Sequence, residues 1–291
     1  MPGGTGPAAA GIAYGTVGGR ELHVDVFAPA GASLRTPVLQ LHGGGWRAGS
    51  RASVHGRCWE LSQHGFTCFA VEYRLLTEAP WPAPLADVQA AVRWVAAHAA
   101  EWDVDSARLV LQGYSAGAHL ALLAATAAER AGQPPASAVV AAYPVTEFHP
   151  HGPEEVGVRP AVPGDTVPGW RLFDRATTEQ EADSVSPGRL LDPGFPPTLI
   201  VHGTDDHIRP HSSSLRLYAQ LFALGVPVDL RLYAGQDHEF DYVPSYRAAV
   251  QQDVAFFIRR MVTDRETIAA DVAANSIFAA ARPDPQELRR S

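Results

Sequence analysis

A chain of 291 residues, 46% hydrophobic and 19% charged, carries enough apolar material for one large buried core. All 23 basic residues are arginine, which excludes chemistry that needs a lysine amine: a phosphate-loop lysine, a pyridoxal Schiff base or a Ser-Lys dyad. A formal net charge of -8 without a basic run argues against nucleic acid or an anionic membrane surface as partner.

Taken in chain order, the opening residues show neither the positive stretch nor the apolar run of an export signal, and no later apolar run reaches membrane-spanning length. Cys58 and Cys68 fit neither a zinc nor a redox spacing, so the expectation is a cytoplasmic protein with two reduced thiols. Residues 11–18 and 21–27 alternate apolar and polar around Gly18-Gly19-Arg20, the pattern of a β-hairpin. A strand is expected over 36–41, a helix over 54–64 and an apolar strand over 66–73. Leu85, Val88, Val92, Val95, Ala99 and Trp102 follow the three-and-four spacing of an amphipathic helix. Residues 107–113 read as a short buried strand, and the Ala/Leu-rich stretch 116–129 as a helix packed closely on a sheet. Strands near 138–142, 198–201 and 228–233 alternate with helices near 214–224 and 246–261. Strands alternating with helices predict an α/β fold: a mostly parallel, eight-stranded sheet covered on both faces and entered by an antiparallel hairpin.

Two segments break this pattern. Pro144, Pro150, Pro153, Pro160, Pro163 and Pro168 mark an irregular insertion over about 145–190, which is expected to lie above the carboxyl edge of the sheet as a lid. Trp170, Leu172 and Phe173 are its candidate substrate-facing side chains. The domain is expected to end at residue 262, with a helical tail over 263–291. There Thr263-Asp-Arg-Glu266 has the form of a capping box, and Ile268, Val272 and Phe278 form an apolar stripe. The tail is a candidate contact for a homodimer, the alternative being a monomer.

The chemistry is carried by two short strings. Gly113-Tyr-Ser-Ala-Gly117 places a serine between a strand and a helix, on the sharp turn that exposes a nucleophile and leaves the Ala116 amide at the helix N-terminus. Leu41-His-Gly-Gly-Gly-Trp46 supplies a glycine loop whose amides suit a developing oxyanion. Ser115 then needs a base, and the base an orienting carboxylate. Of the seven histidines downstream, His238 alone sits in a polar loop after the last strand, in Gly235-Gln-Asp-His-Glu-Phe240. Asp205 and Asp206 both follow the preceding strand, and the residues alone leave the choice between them open. Trp46 and Tyr114, beside the two strings, join Trp170 and Phe173 as candidate substrate-binding residues. His42 reads as loop-shaping and His119 as a hydrogen-bonded core histidine. His149, His151 and Glu154 have too irregular a spacing for a metal site, so neither metal nor cofactor is expected. Glu239 is open between tuning His238 and facing solvent.

His42-Gly-Gly-Gly-Trp46, Glu72-Tyr-Arg-Leu75, Trp81-Pro-Ala-Pro-Leu-Ala-Asp-Val88, Gly113-Tyr-Ser-Ala-Gly-Ala-His-Leu120 and His202-Gly-Thr-Asp-Asp206 occur in this order over about 36–260. With them the chain resembles bacterial esterases of the α/β-hydrolase fold, in the hormone-sensitive-lipase and BD-FAE-type group. The resemblance implies Asp206 as the acid, Gly44, Gly45 and Ala116 as oxyanion donors, and a serine carboxylesterase acting on a small-molecule ester. Tyr114 and Ala118 depart from the hormone-sensitive-lipase pattern, and the early hairpin leaves no room for that group's cap helices. Both favour the BD-FAE or arylformamidase-like side, where an amide substrate is the alternative; a tailoring acyl hydrolase or acyltransferase and a non-catalytic receptor are further ones.

Overall fold

The computed structural model describes residues 6–130, 135–148, 172 and 178–276. Eight strands form one sheet: β1 (Ala9–Val17), β2 (Arg20–Phe27), β3 (Pro37–Leu41), β4 (Thr67–Val71), β5 (Val110–Tyr114), β6 (Ala138–Ala142), β7 (Thr198–Gly203) and β8 (Val228–Tyr233). Their spatial order is β1-β2-β4-β3-β5-β6-β7-β8. β2 pairs antiparallel with both β1 and β4, and all the remaining pairs are parallel. The Gly18-Gly19 turn supplies the positive φ that closes the hairpin.

Helices α1 (His55–Ser62), α2 (Ala83–Ala97), α3 (Ala116–Arg130), α4 (Glu179–Ser184), α5 (Ser212–Ala223), α6 (Pro244–Ile258) and α7 (Arg265–Asn275) complete the elements. Alternate residues of each buried strand feed two separate cores. Leu39, Leu41 and Leu111 pack with Val88 and Val92 of α2, Leu120 of α3 and Leu217 of α5. Val38, Val110 and Val140 pack on the other face with Cys58 and Leu61 of α1 and Val254 and Phe257 of α6. This two-sided burial explains why the central strands are apolar throughout rather than alternating. Both cysteines are free and buried, and burial pushes both thiols up.

The structure corrects several expectations. Beyond a turn at Ser106–Arg108 the fifth strand starts only at Val110, and the amphipathic helix α2 stops at Ala97 before Ala99 and Trp102. Of the insertion, residues 145–148, 172 and 178–190 are described, and they include a regular helix where prolines predict irregular chain. Thr178 caps α4 by accepting from the Glu181 amide at 3.2 Å, while the Glu181 carboxylate accepts from the Thr178 amide at 3.0 Å. The capping box expected at 263–266 does not form. α6 runs on into a π turn over Arg259–Thr263, so Thr263 falls inside that turn and pairs its hydroxyl with Thr36 at 3.1 Å. Asp264 precedes α7 without a side-chain cap, and Val272 is 49% exposed, so the stripe on α7 is not packed into either core. Phe278 lies outside the described residues. Among the described residues no helix is long and apolar enough to cross a membrane.

The tightest constraint near the sheet's carboxyl edge is the close approach of α3. A Cβ on Gly117 would lie 2.1 Å from the Leu41 carbonyl oxygen, and one on Gly113 2.1 Å from the Gly117 carbonyl oxygen. Neither obstacle is a movable side chain, so Gly117→Ala must push backbone apart. The expected cost is about 1–3 kcal/mol in unfolding free energy by urea denaturation, the usual scale for overpacking.

Candidate active site

The turn from β5 into α3 holds Ser115 at φ 53°, a left-handed conformation that is strained for a non-glycine residue. The Ser115 amide is anchored to the Ala142 carbonyl of β6 at 2.9 Å. Its hydroxyl lies 3.0 Å from His238 Nε2, and His238 Nδ1 lies 2.7 Å from Asp206 Oδ2. The carboxylate accepts on that side, so Nδ1 carries the proton and Nε2 is free to accept from the serine. These three residues, from the ends of β5, β7 and β8, therefore form one continuous hydrogen-bonded chain.

Of the two adjacent aspartates, Asp206 joins this chain and Asp205 is exposed, its amide bonded to the Gln236 carbonyl. Asp206 Oδ1 also accepts from the amides of Ile208 (2.9 Å) and Arg209 (2.7 Å), and Oδ2 from His202 Nε2 at 3.1 Å. His202 Nε2 faces the Arg209 carbonyl as well, so it carries the proton, and Ser214 Oγ donates to Nδ1 at 2.7 Å. Burial alone would raise the Asp206 pKa; the hydrogen bonds from His202 and His238 outweigh it and hold the carboxyl well below the usual carboxylate range.

The glycine loop follows β3. Gly44 and Gly45 have φ of 109° and 61°, and a Cβ on Gly44 would lie 2.2 Å from the Ala48 carbonyl oxygen, so only glycine fits there. The Gly44 carbonyl accepts from the Arg47 and Ala48 amides, closing a tight turn. Among the described residues, the amides of Gly44, Gly45 and Ala116 have no backbone acceptor outside regular elements, and all three residues line the same cavity as Ser115 and His238. That cavity measures about 370 Å³.

The other candidates divide. Trp46 is in the cavity wall, at φ 60°, although mostly buried. Tyr114 is not in the wall. Strand alternation turns it to the opposite face of β5, with its hydroxyl among Gln40, Gln112 and Gln251 and Arg57 stacked 3.9 Å from its ring. Leu172 is buried in the core beside α2 and α3, while Trp170, Phe173, His149, His151 and Glu154 lie outside the described residues. His42 stacks on Tyr73, its Nδ1 donating to the Gly43 carbonyl at 2.7 Å, which shapes the loop. His119 bonds the Val185 carbonyl at 2.7 Å, and burial lowers its pKa to about 3. Glu239 does not face solvent: it lines the cavity at φ 54°, and burial raises its carboxyl.

One support of the site left no trace in the local sequence. Arg57 of α1 is fully buried and donates to Asp241 from Nε (2.7 Å) and a terminal nitrogen (2.6 Å), while Tyr143 donates to the same carboxylate at 2.7 Å. Burial would lower the Arg57 pKa, and the Asp241 carboxylate, by its charge and its hydrogen bonds, keeps it raised instead. Asp241 lies three residues after His238, and the Tyr143 ring is 4.8 Å from the imidazole, so this pair pins the loop that carries the base. The partners are 184 residues apart, beyond any sequence periodicity.

Asp241→Ala leaves an uncompensated buried guanidinium. An unfolding free energy lower by about 3–5 kcal/mol is expected in urea titration, with part of it recovered in the Arg57→Leu, Asp241→Ala double variant. A second expectation concerns acid. The folded-state pKa of Asp206 is below its unfolded value of about 3.9, so its ionised form stabilises the fold. That stabilisation is complete above the unfolded pKa and is lost as pH falls toward the folded value. Asp206→Asn should therefore lose less stability than the parent between about pH 6 and about pH 3 in urea titrations.

The comparisons with known proteins bear on the whole of this arrangement. The BD-FAE family model matches residues 24–221. The probable carboxylic ester hydrolase LipM of Mycobacterium tuberculosis is 30% identical over 82% of this chain, which spans only 57% of that relative's length. Carboxylesterase NlhH of the same organism is 31% identical, over 72% of this chain and 68% of its own. An esterase structure from Thermogutta terrifontis superposes with a TM-score of 0.71 at 27% identity, covering 87% of this chain and 92% of that one, and the same esterase is also known with propionate and with butyrate bound. With most of its length matched by the family model, and the sheet order and glycine loop described above, this chain belongs to the BD-FAE family within the α/β-hydrolase fold.

Proposed function

We propose that this protein is a serine carboxylesterase that cleaves small or medium carboxylic esters through an acyl-enzyme. The observation that carries the proposal is the hydrogen-bonded chain from Ser115 Oγ through His238 to Asp206, opening on a cavity that Gly44, Gly45 and Ala116 also line. Ser115 Oγ attacks the ester carbonyl as its proton passes to His238 Nε2. The imidazolium that results is stabilised by Asp206, whose four hydrogen bonds keep it ionised throughout. Gly44, Gly45 and Ala116 donate to the oxyanion of the tetrahedral intermediate, with Ala116 adding the field of the α3 N-terminus. His238 then gives its proton to the leaving alkoxide, and in the second half activates the water that releases the acid.

A cavity of about 370 Å³ accommodates a short acyl chain and a modest alcohol. The propionate- and butyrate-bound forms of the Thermogutta terrifontis esterase suit that size range.

Ser115→Ala should reduce kcat for p-nitrophenyl butyrate by about 10⁴-fold or more, and a serine-directed phosphonate should label the parent protein once, on Ser115. Full turnover by Ser115→Ala, or labelling elsewhere, would remove the assignment.

A further inference from the structure

Among the described residues most arginines are committed to carboxylates. Arg57 is held on Asp241, Arg74 on Asp87, Arg51 on Asp25 and Arg260 on Asp229. Arg209 is different. Its backbone is fixed to the acid of the site, the amide donating to Asp206 Oδ1 at 2.7 Å and the carbonyl accepting from His202 Nε2 at 3.0 Å. Its side chain is half-buried in the wall of the cavity that holds Ser115 and His238, beside the apolar Val145 and Ile208. Among the described residues the guanidinium makes no hydrogen bond or ion pair. Asp206 acts on it only through space, because both carboxylate oxygens already accept from histidines and amides.

A guanidinium presents five donors in a planar fork suited to a carboxylate, and leaving it in a partly dry wall without a partner is costly. Burial brings its pKa down to about 10, so it is still charged at neutral pH. Glu239, the other charged group named in this wall besides Arg47 and His238, does not satisfy it: no bond joins the two, and burial favours the neutral form of that carboxyl. Resting on the esterase function above, we propose that Arg209 binds a carboxylate carried by the substrate, so that the physiological substrates are anionic esters with a carboxylate on the acyl or the alcohol part. The chain's net charge of -8 would repel such a molecule at long range, so selectivity for it must come from a local cation.

The test compares matched pairs of substrates. On the acyl side, mono-p-nitrophenyl succinate is set against p-nitrophenyl butyrate; on the alcohol side, 4-acetoxybenzoate is set against its methyl ester. The parent enzyme should favour the anionic member of at least one pair in kcat/KM, mainly through KM, and the identity of that pair locates the carboxylate. Arg209→Gln should lower the anionic-to-neutral ratio in that pair by about 10–100-fold, the scale of a charge-assisted hydrogen bond, with Arg209→Lys recovering part of it. Because the ratio is read within one protein, a general loss of activity in the variant does not obscure it. The proposal is overturned if the parent prefers the neutral member of both pairs, or if Arg209→Gln slows both members of each pair equally. Failure of the esterase function shows separately, as butyrate ester turnover that is absent from the parent or undiminished in Ser115→Ala, and it takes this proposal with it.

Discussion

The site depends on one steric fact, the contact of the first turn of α3 with the end of β3. Gly117 sits against the carbonyl oxygens of Leu41 and His42, at distances a Cβ could not tolerate. The same contact joins the two halves of the chemistry. Leu41 and His42 begin the glycine loop, while Gly113 and Gly117 bracket the serine turn, so the distance from nucleophile to oxyanion donors is set by backbone touching backbone. Side-chain packing relaxes when a residue changes; a backbone contact of this kind has little freedom to do so.

The base and acid are placed by a different means, through buried polar groups rather than close packing. Two loops carry them, the first fixed by residues far away in sequence and the second by near neighbours. The His238 loop is tied by Asp241 to Arg57 of α1 and to Tyr143 after β6. The Asp206 loop is tied by its own carboxylate to His202 of β7, which is held in turn by Ser214 of α5. Loops held this way keep their geometry only while the charges stay paired, which makes the surroundings of the site sensitive to loss of either partner.

Much of this was legible in the sequence because its causes are local. The strand-turn-helix around Ser115, the glycine loop and the alternation of strands and helices are each written in a few consecutive residues, and His238 stood out by its place after the last strand. Asp205 and Asp206 could not be separated by such means, since which of two neighbours turns inward depends on the path of the loop. Tyr114 was misplaced as a substrate contact because nearness in sequence to Ser115 hides the reversal of side-chain direction along β5. The box at 263–266 failed for a related reason: a capping motif acts only where a helix begins, and α6 continued into the π turn past that point. Arg57, His202 and Arg209 were not found, because their meaning lies in partners that only the fold supplies, or in the lack of one.

Two carboxyls lie beside His238, and their surroundings shift them in opposite directions. Asp206 has four donors around it, so the ionised form is the stable one despite burial. Glu239 is half-buried beside the loop at Gly43, and among the described residues no side-chain or backbone donor is bonded to its carboxyl, so burial works unopposed by hydrogen bonds and shifts its pKa upward. The committed anion is bonded on the Nδ1 side of the base. Its Nε2 side is left to exchange a proton with Ser115.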